Sequence, residues 1–129
     1  MNGTVCLDSS IVVRCLRGDL ALKERFLRLQ RPVLTGIALG ELYVGAFRSN
    51  RTAEEIQKVE GFAGACQLIF PDRATAPVYG RIKVALRLAG TPIPENDIWI
   101  AALCVQHGWE LAFRDRHFPL VPGLRCLPW

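Results

Sequence analysis

Four acidic residues occupy positions where a carboxylate needs a reason. Asp8 directly follows the apolar run Val5-Cys6-Leu7, which reads as a short buried strand. It therefore lies just past a strand's carboxyl end, the edge at which open parallel α/β sheets bind ligands. Glu41 sits mid-helix between Leu39, Leu42 and Val44, and shares helical faces with Ile37 and Ala38 and with Val44 and Gly45. A lone carboxylate on an apolar stripe is costly unless it is paired or binds a metal. Asp97 falls in the first turn of a helix, behind the stiff approach Pro92-Ile93-Pro94, where the helix N-terminus favours negative charge. Asp115 follows the strand Glu110 to Phe113, a post-strand position like that of Asp8.

Each acid taken singly has an ordinary explanation: a helix cap for Asp8, a solvated helix edge for Glu41, a first-turn preference for Asp97, and a loop pair with Arg114 or Arg116 for Asp115. Together they describe a different object. Hard cations such as Mg²⁺ and Mn²⁺ take several oxygen ligands. Hydrolysis of a phosphodiester needs its developing charge neutralised and a water activated, and carboxylates gathered around a divalent ion serve both. The charge balance suits a polyanion. The net charge is +4, from 16 basic and 12 acidic residues, so gathering four acids in one pocket leaves a distinctly basic remainder. Arg14, Arg17, Arg48, Arg114 and Arg116 lie near the acids in sequence, and rim arginines of this kind would bind a phosphate backbone.

The elements that must position these residues alternate between short apolar runs and longer amphipathic ones, which predicts an α/β fold with a mainly parallel sheet. Strands are expected at Thr4 to Leu7, Pro32 to Leu34, Gln67 to Phe70, Glu110 to Phe113 and Leu124 to Leu127. Helices are expected after Asp8, over Leu20 to Leu29, over Ile37 to Phe47, from Thr52 to about Phe62, over Ala76 to Leu88, and from Asn96 to Gly108. Thr52 with Glu55 three residues on has the spacing of a capping box. Gly90 and Gly108 stand where helices stop. With 129 residues, half of them hydrophobic, and no linker or repeat, a single domain over residues 1–129 is expected.

Other chemistries find less support. Cys6, Cys15, Cys66, Cys104 and Cys126 are odd in number, contain no CxxC pair and sit mostly in apolar segments, as free thiols of a reducing cytosol do. Neither they nor His107 and His117 supply the paired ligands of a zinc site, and both histidines read as structural or surface residues. The longest apolar run, Ile98 to Val105, falls far short of the roughly 18 residues a membrane span needs. The N-terminus lacks the basic start and uninterrupted apolar core of a secretory leader.

These residues also spell a family pattern. Val5-Cys6-Leu7-Asp8-Ser9-Ser10 resembles the opening hydrophobic-Asp-Thr/Ser-Ser motif of PIN domains, and Glu41-Leu42-Tyr43-Val44-Gly45 resembles their Glu-Leu-x-x-Gly. Ile93-Pro94-Glu95-Asn96-Asp97-Ile98-Trp99-Ile100-Ala101-Ala102 is close to the third and most specific motif. Leu111 to Phe118 is similar to the fourth, and the terminal Trp129 also fits. Motif order and length are similar to VapC-type toxins over essentially the whole chain. The resemblance implies a PIN fold, a parallel sheet with helices on both sides. It implies a cytoplasmic Mg²⁺- or Mn²⁺-dependent endoribonuclease that leaves 5′-phosphate and 3′-hydroxyl ends. Asp8, Glu41 and Asp97 would ligate metal, Asp115 would act directly or through water, and Ser9 and Asn96 would support the site. A homodimer and a silencing VapB-type antitoxin are also implied. The fourth motif departs in one respect: Phe113 stands where a Thr or Ser is common two residues before the acid, which bears on the role of Asp115.

Two rival readings remain. A phosphotransferase with Asp8 as nucleophile would want a second Asp two residues on, where this chain has Ser10. A non-catalytic PIN-like module that binds protein or RNA has no need of four acids, although Phe113 is compatible with it.

Overall fold

The computed structural model describes residues 3–114 and 117–129. Five strands form one sheet: β1 (Val5–Leu7), β2 (Val33–Thr35), β3 (Gln67–Ile69), β4 (Glu110–Phe113) and β5 (Arg125–Pro128). Their order is β3-β2-β1-β4-β5, and every neighbouring pair is parallel. The expected α/β architecture is thus present, with the sheet wholly parallel.

The strand sequences explain the layering. The central strands β1 and β2 are buried along their whole length, and β4 nearly so, whereas the edge strands β3 and β5 are mostly exposed or half-buried. Continuous apolar runs rather than alternating ones are what a sheet covered on both faces requires. The connections carry α1 (Ser9–Leu16) and α2 (Leu20–Leu27) after β1, and α3 (Gly36–Arg48) and α4 (Thr52–Gly64) after β2. After β3 come α5 (Thr75–Leu88) and α6 (Glu95–His107), and a short 3₁₀ turn, Phe118–Leu120, precedes β5.

The chain order places a topological switch between β1 and β4. From β1 the sheet grows outward through β2 to β3, then resumes on the other side of β1 with β4 and β5. Parallel sheets open a crevice at the carboxyl ends of strands on either side of such a switch. Asp8 follows β1 there, with its backbone N–H donating to the Ala112 carbonyl of β4 at 3.0 Å.

One local expectation fails. Thr52 is the first residue of α4 rather than its cap; the capping position is Arg51, and no side chain caps the helix. The Thr52 hydroxyl donates backward to the Ser49 carbonyl at 2.9 Å, and Glu55 pairs with Lys58 at 3.1 Å. The capping-box pattern was outweighed by a turn that begins one residue earlier. Gly90 and Gly108 do end their helices in the left-handed region, at φ 73° and 71°, where glycine carries no Cβ penalty.

Candidate metal centre and nuclease site

Asp8 follows a strand end, Asp97 sits at a helix start, and Glu41 lies within a helix whose start is fixed by a cap. Asp8 caps α1, accepting from the Ser10 N–H at 3.3 Å and from the Ser10 hydroxyl at 2.5 Å. It is only 3% exposed. The cap explanation and the site explanation are therefore both true of one side chain. Glu41 lies midway along α3, whose start is set by the buried Thr35 hydroxyl accepting from the Ala38 N–H at 3.1 Å. Asp97 is buried in the first turn of α6.

α6 has no side-chain cap of its own and is braced from α5 instead. Glu95, its first residue, accepts from the Tyr79 hydroxyl and from Lys83. Lys83 holds the Glu95 carboxyl below its usual range, helped by the Tyr79 hydroxyl. The Tyr79 ring stacks on Trp99, with centroids 4.0 Å apart. Trp99 is thus a packing residue between the two helices.

Asp8, Glu41 and Asp97 line one open cavity of about 730 Å³, together with Ser9, Ser10, Arg14, Arg17 and Asp19. The Ser9 hydroxyl donates to one Glu41 oxygen at 2.9 Å, and the Asn96 amide donates to the other at 3.2 Å. The first and third motifs therefore meet on the carboxylate of the second. Asp97 has its own neighbour: Nδ1 of His117 lies 3.0 Å from its Oδ2. The sequence assigned His117 no part in the site, and its place within the fourth motif was the one available signal. Asp19 was also missed; it caps α2 through the Leu22 N–H at 3.1 Å and lies 3.9 Å from Arg14. Of the five arginines named from the sequence, Arg14 and Arg17 line this cavity. Asp115 and Arg116 fall outside the described residues.

Electrostatics give the cavity its character. Burial pushes the Asp8 carboxyl above its ordinary range, the Ser10 hydroxyl and N–H pull it back, and the nearby charge of Glu41 pushes it up again. A desolvated carboxylate facing a second carboxylate is the arrangement that a bound cation relieves. The donors are carboxylate oxygens, the type that Mg²⁺ and Mn²⁺ prefer, so their chemistry fits such an ion. As they stand, no three acidic, imidazole or thiol side chains among the described residues are close enough together to hold one ion. A further donor or a side-chain rotation is needed to complete the ligand set.

The cysteines take no part. All five are free thiols, and Cys6, Cys15 and Cys104 are buried. Cys6 is pushed far up by its hydrogen bond to Cys104 and by burial, which leaves it a packing group rather than a nucleophile. No helix among the described residues is long and apolar enough to cross a membrane.

The chain is similar to known proteins over most of its length. The model of the PIN domain family matches residues 5–124. The tRNA(fMet)-specific endonuclease VapC of Salmonella typhimurium is 31% identical over 84% of this chain and 83% of its own. Ribonuclease VapC2 of Haemophilus influenzae is 32% identical over 95% and 96%. Among solved structures, a chain of the DNA-bound VapBC complex of Salmonella typhimurium superposes with a TM-score of 0.90 at 28% identity, covering 96% of both chains. With a family model spanning both acid-bearing strand ends and relatives matched nearly end to end, the chain belongs to the PIN-domain family and, within it, to the VapC-type proteins.

Proposed function

We propose that this protein is a metal-dependent endoribonuclease, the toxin of a VapBC-type toxin–antitoxin pair. The observation that carries the proposal is the convergence of Asp8, Glu41 and Asp97 on one cavity at the switch point of the sheet. Relatives named as ribonucleases and a structural neighbour solved as a DNA-bound VapBC complex support it.

In this reading Asp8, Glu41 and Asp97 hold Mg²⁺ or Mn²⁺, and Asp115 completes the set. When bound, the ion supplies charge neutralisation at the scissile phosphate and a more acidic water. The chain's own residues do the rest. Ser9 and Asn96 hold both oxygens of Glu41 and so fix its side chain against α1 and α6. Arg14 and Arg17 stand on the cavity wall, where the RNA backbone would pass. A cognate VapB-type antitoxin is the expected partner.

Asp97→Asn tests the assignment. Cleavage of a cellular RNA pool by the purified variant should fall by more than the roughly 10- to 100-fold expected from losing an outer partner of a metal ligand. The wild type should lose activity in EDTA. Full metal-dependent cleavage by Asp97→Asn would remove Asp97 from the ligand set.

A homodimer belongs to the same proposal. Val44 and Phe47 are exposed one turn apart on α3, with Tyr43 stacked on Phe47 at 6.1 Å. Exposed apolar side chains grouped in this way suit a protein interface. Light scattering of the purified chain should give twice the 14.4 kDa of one copy. Five free thiols are consistent with a cytoplasmic setting.

A further inference from the structure

His117 joins two parts of the chain that the family motifs treat separately. Its Nδ1 lies 3.0 Å from Oδ2 of Asp97, twenty positions away in sequence. An ionised carboxylate oxygen only accepts hydrogen bonds, so Nδ1 carries the hydrogen and donates it.

The backbone that presents this ring is anchored. The 3₁₀ turn Phe118–Leu120 begins immediately after it, and the Leu120 N–H donates to the His117 carbonyl at 3.1 Å. Phe118 is fully buried and packs edge-to-face on Phe113, with centroids 6.0 Å apart and planes at 71°. Phe113 is the residue that stands where a hydroxyl was expected. It serves as the seat on which the turn carrying His117 rests.

We infer that His117 is a positioning residue of the metal centre: its donation to Oδ2 fixes the orientation of the Asp97 carboxylate toward a divalent cation. This rests on the metal-dependent reading proposed above. Outer partners of metal ligands narrow the orientations of the ligating group, and their loss costs roughly 10- to 100-fold in metal affinity or activity. With Phe113 lacking a hydroxyl, the fourth motif would contribute to the site through an imidazole held by an aromatic pair.

The test is calorimetric titration of metal-free protein with Mn²⁺, with no RNA present, on the wild type and three variants. His117→Asn keeps an N–H donor close to the Nδ1 position, His117→Gln moves it outward by one carbon, and His117→Leu removes it. The expected result is near-native Mn²⁺ affinity for Asn and a roughly 10- to 100-fold weaker affinity for Gln and Leu. If Leu fails to fold, as judged by circular dichroism, the contrast between Asn and Gln decides. Equal affinity across wild type, Asn, Gln and Leu would overturn the role of His117 while leaving the metal centre standing. Asn as weak as Leu would also overturn it. Absence of Mn²⁺ binding by the wild type would overturn the metal reading itself, and this inference with it.

Discussion

At the scale of the residue, Asp8 is a buried carboxylate whose charge works against folding. Its carboxyl is raised above the ordinary value of 3.8, chiefly by burial and further by the charge of Glu41. Between 3.8 and the folded value, the folded state therefore binds more protons than the unfolded one. Stability falls as pH rises through that window, and the loss is complete above it. Asp8→Asn removes the charge but keeps an oxygen for the Ser10 N–H. In EDTA at neutral pH its melting temperature should exceed that of the wild type, with the gain shrinking as pH falls through that window and gone below 3.8. A gain that persists unchanged in acid would mean that burial of charge is not its source. A carboxylate disfavoured by burial that nonetheless lines this cavity fits the trade-off between stability and function.

At the scale of the element, the site depends on how precisely three helices begin. α1 starts on Asp8, α3 on Thr35, and α6 on a proline, braced by its contact with α5. Thr35 is fully buried, and its hydroxyl satisfies an N–H that water cannot reach. Thr35→Ala should destabilise the protein by roughly 1–2 kcal/mol in urea unfolding. Because α3 carries Glu41, cleavage should fall as well, even where the variant remains fully folded. Thr35→Ser, which keeps the acceptor, should restore both; a Ser variant as weak as Ala would assign the effect to the lost methyl group. The cap of α3 is harder to read than that of α1, because the apolar run before it predicts a strand that ends at Leu34. In the fold Thr35 ends β2 and caps α3 together.

At the scale of the whole molecule, charge is divided between an acidic cavity and a basic remainder. The chain carries a net +4 even with its acids counted. Arg14 is 3.9 Å from Asp19, whereas Arg17 has no ion-pair partner among the described residues. RNA binding should therefore weaken with salt through counterion release, and Arg17 should contribute to that slope. Binding of a single-stranded RNA to Asp97→Asn, followed by fluorescence anisotropy across a salt series, should give a linear log–log plot. Adding Arg17→Ala should reduce the slope by about 0.7, the value for one phosphate contact. An unchanged slope would place the RNA path elsewhere on the surface.

The α/β class, the strands and helices to within a residue or two, and the placing of Asp8 after a strand, Glu41 within a helix and Asp97 at a helix start are legible in the local sequence. These are local matters: an apolar run, an Asp after it and a glycine that stops a helix act over a few residues. Which of these positions face one another is set by how the elements pack. The order β3-β2-β1-β4-β5 puts β4 beside β1 and so opens the crevice above Asp8. Ser9 meets Glu41 across 32 positions, Asn96 meets Glu41 across 55, and His117 meets Asp97 across 20. Periodicity carries no record of such partners, because it reports which face of an element is buried and not what that face is buried against. Phe113 illustrates the difference: in sequence it was a missing hydroxyl, and in the fold it is half of the aromatic pair beneath the turn that brings His117 to the site.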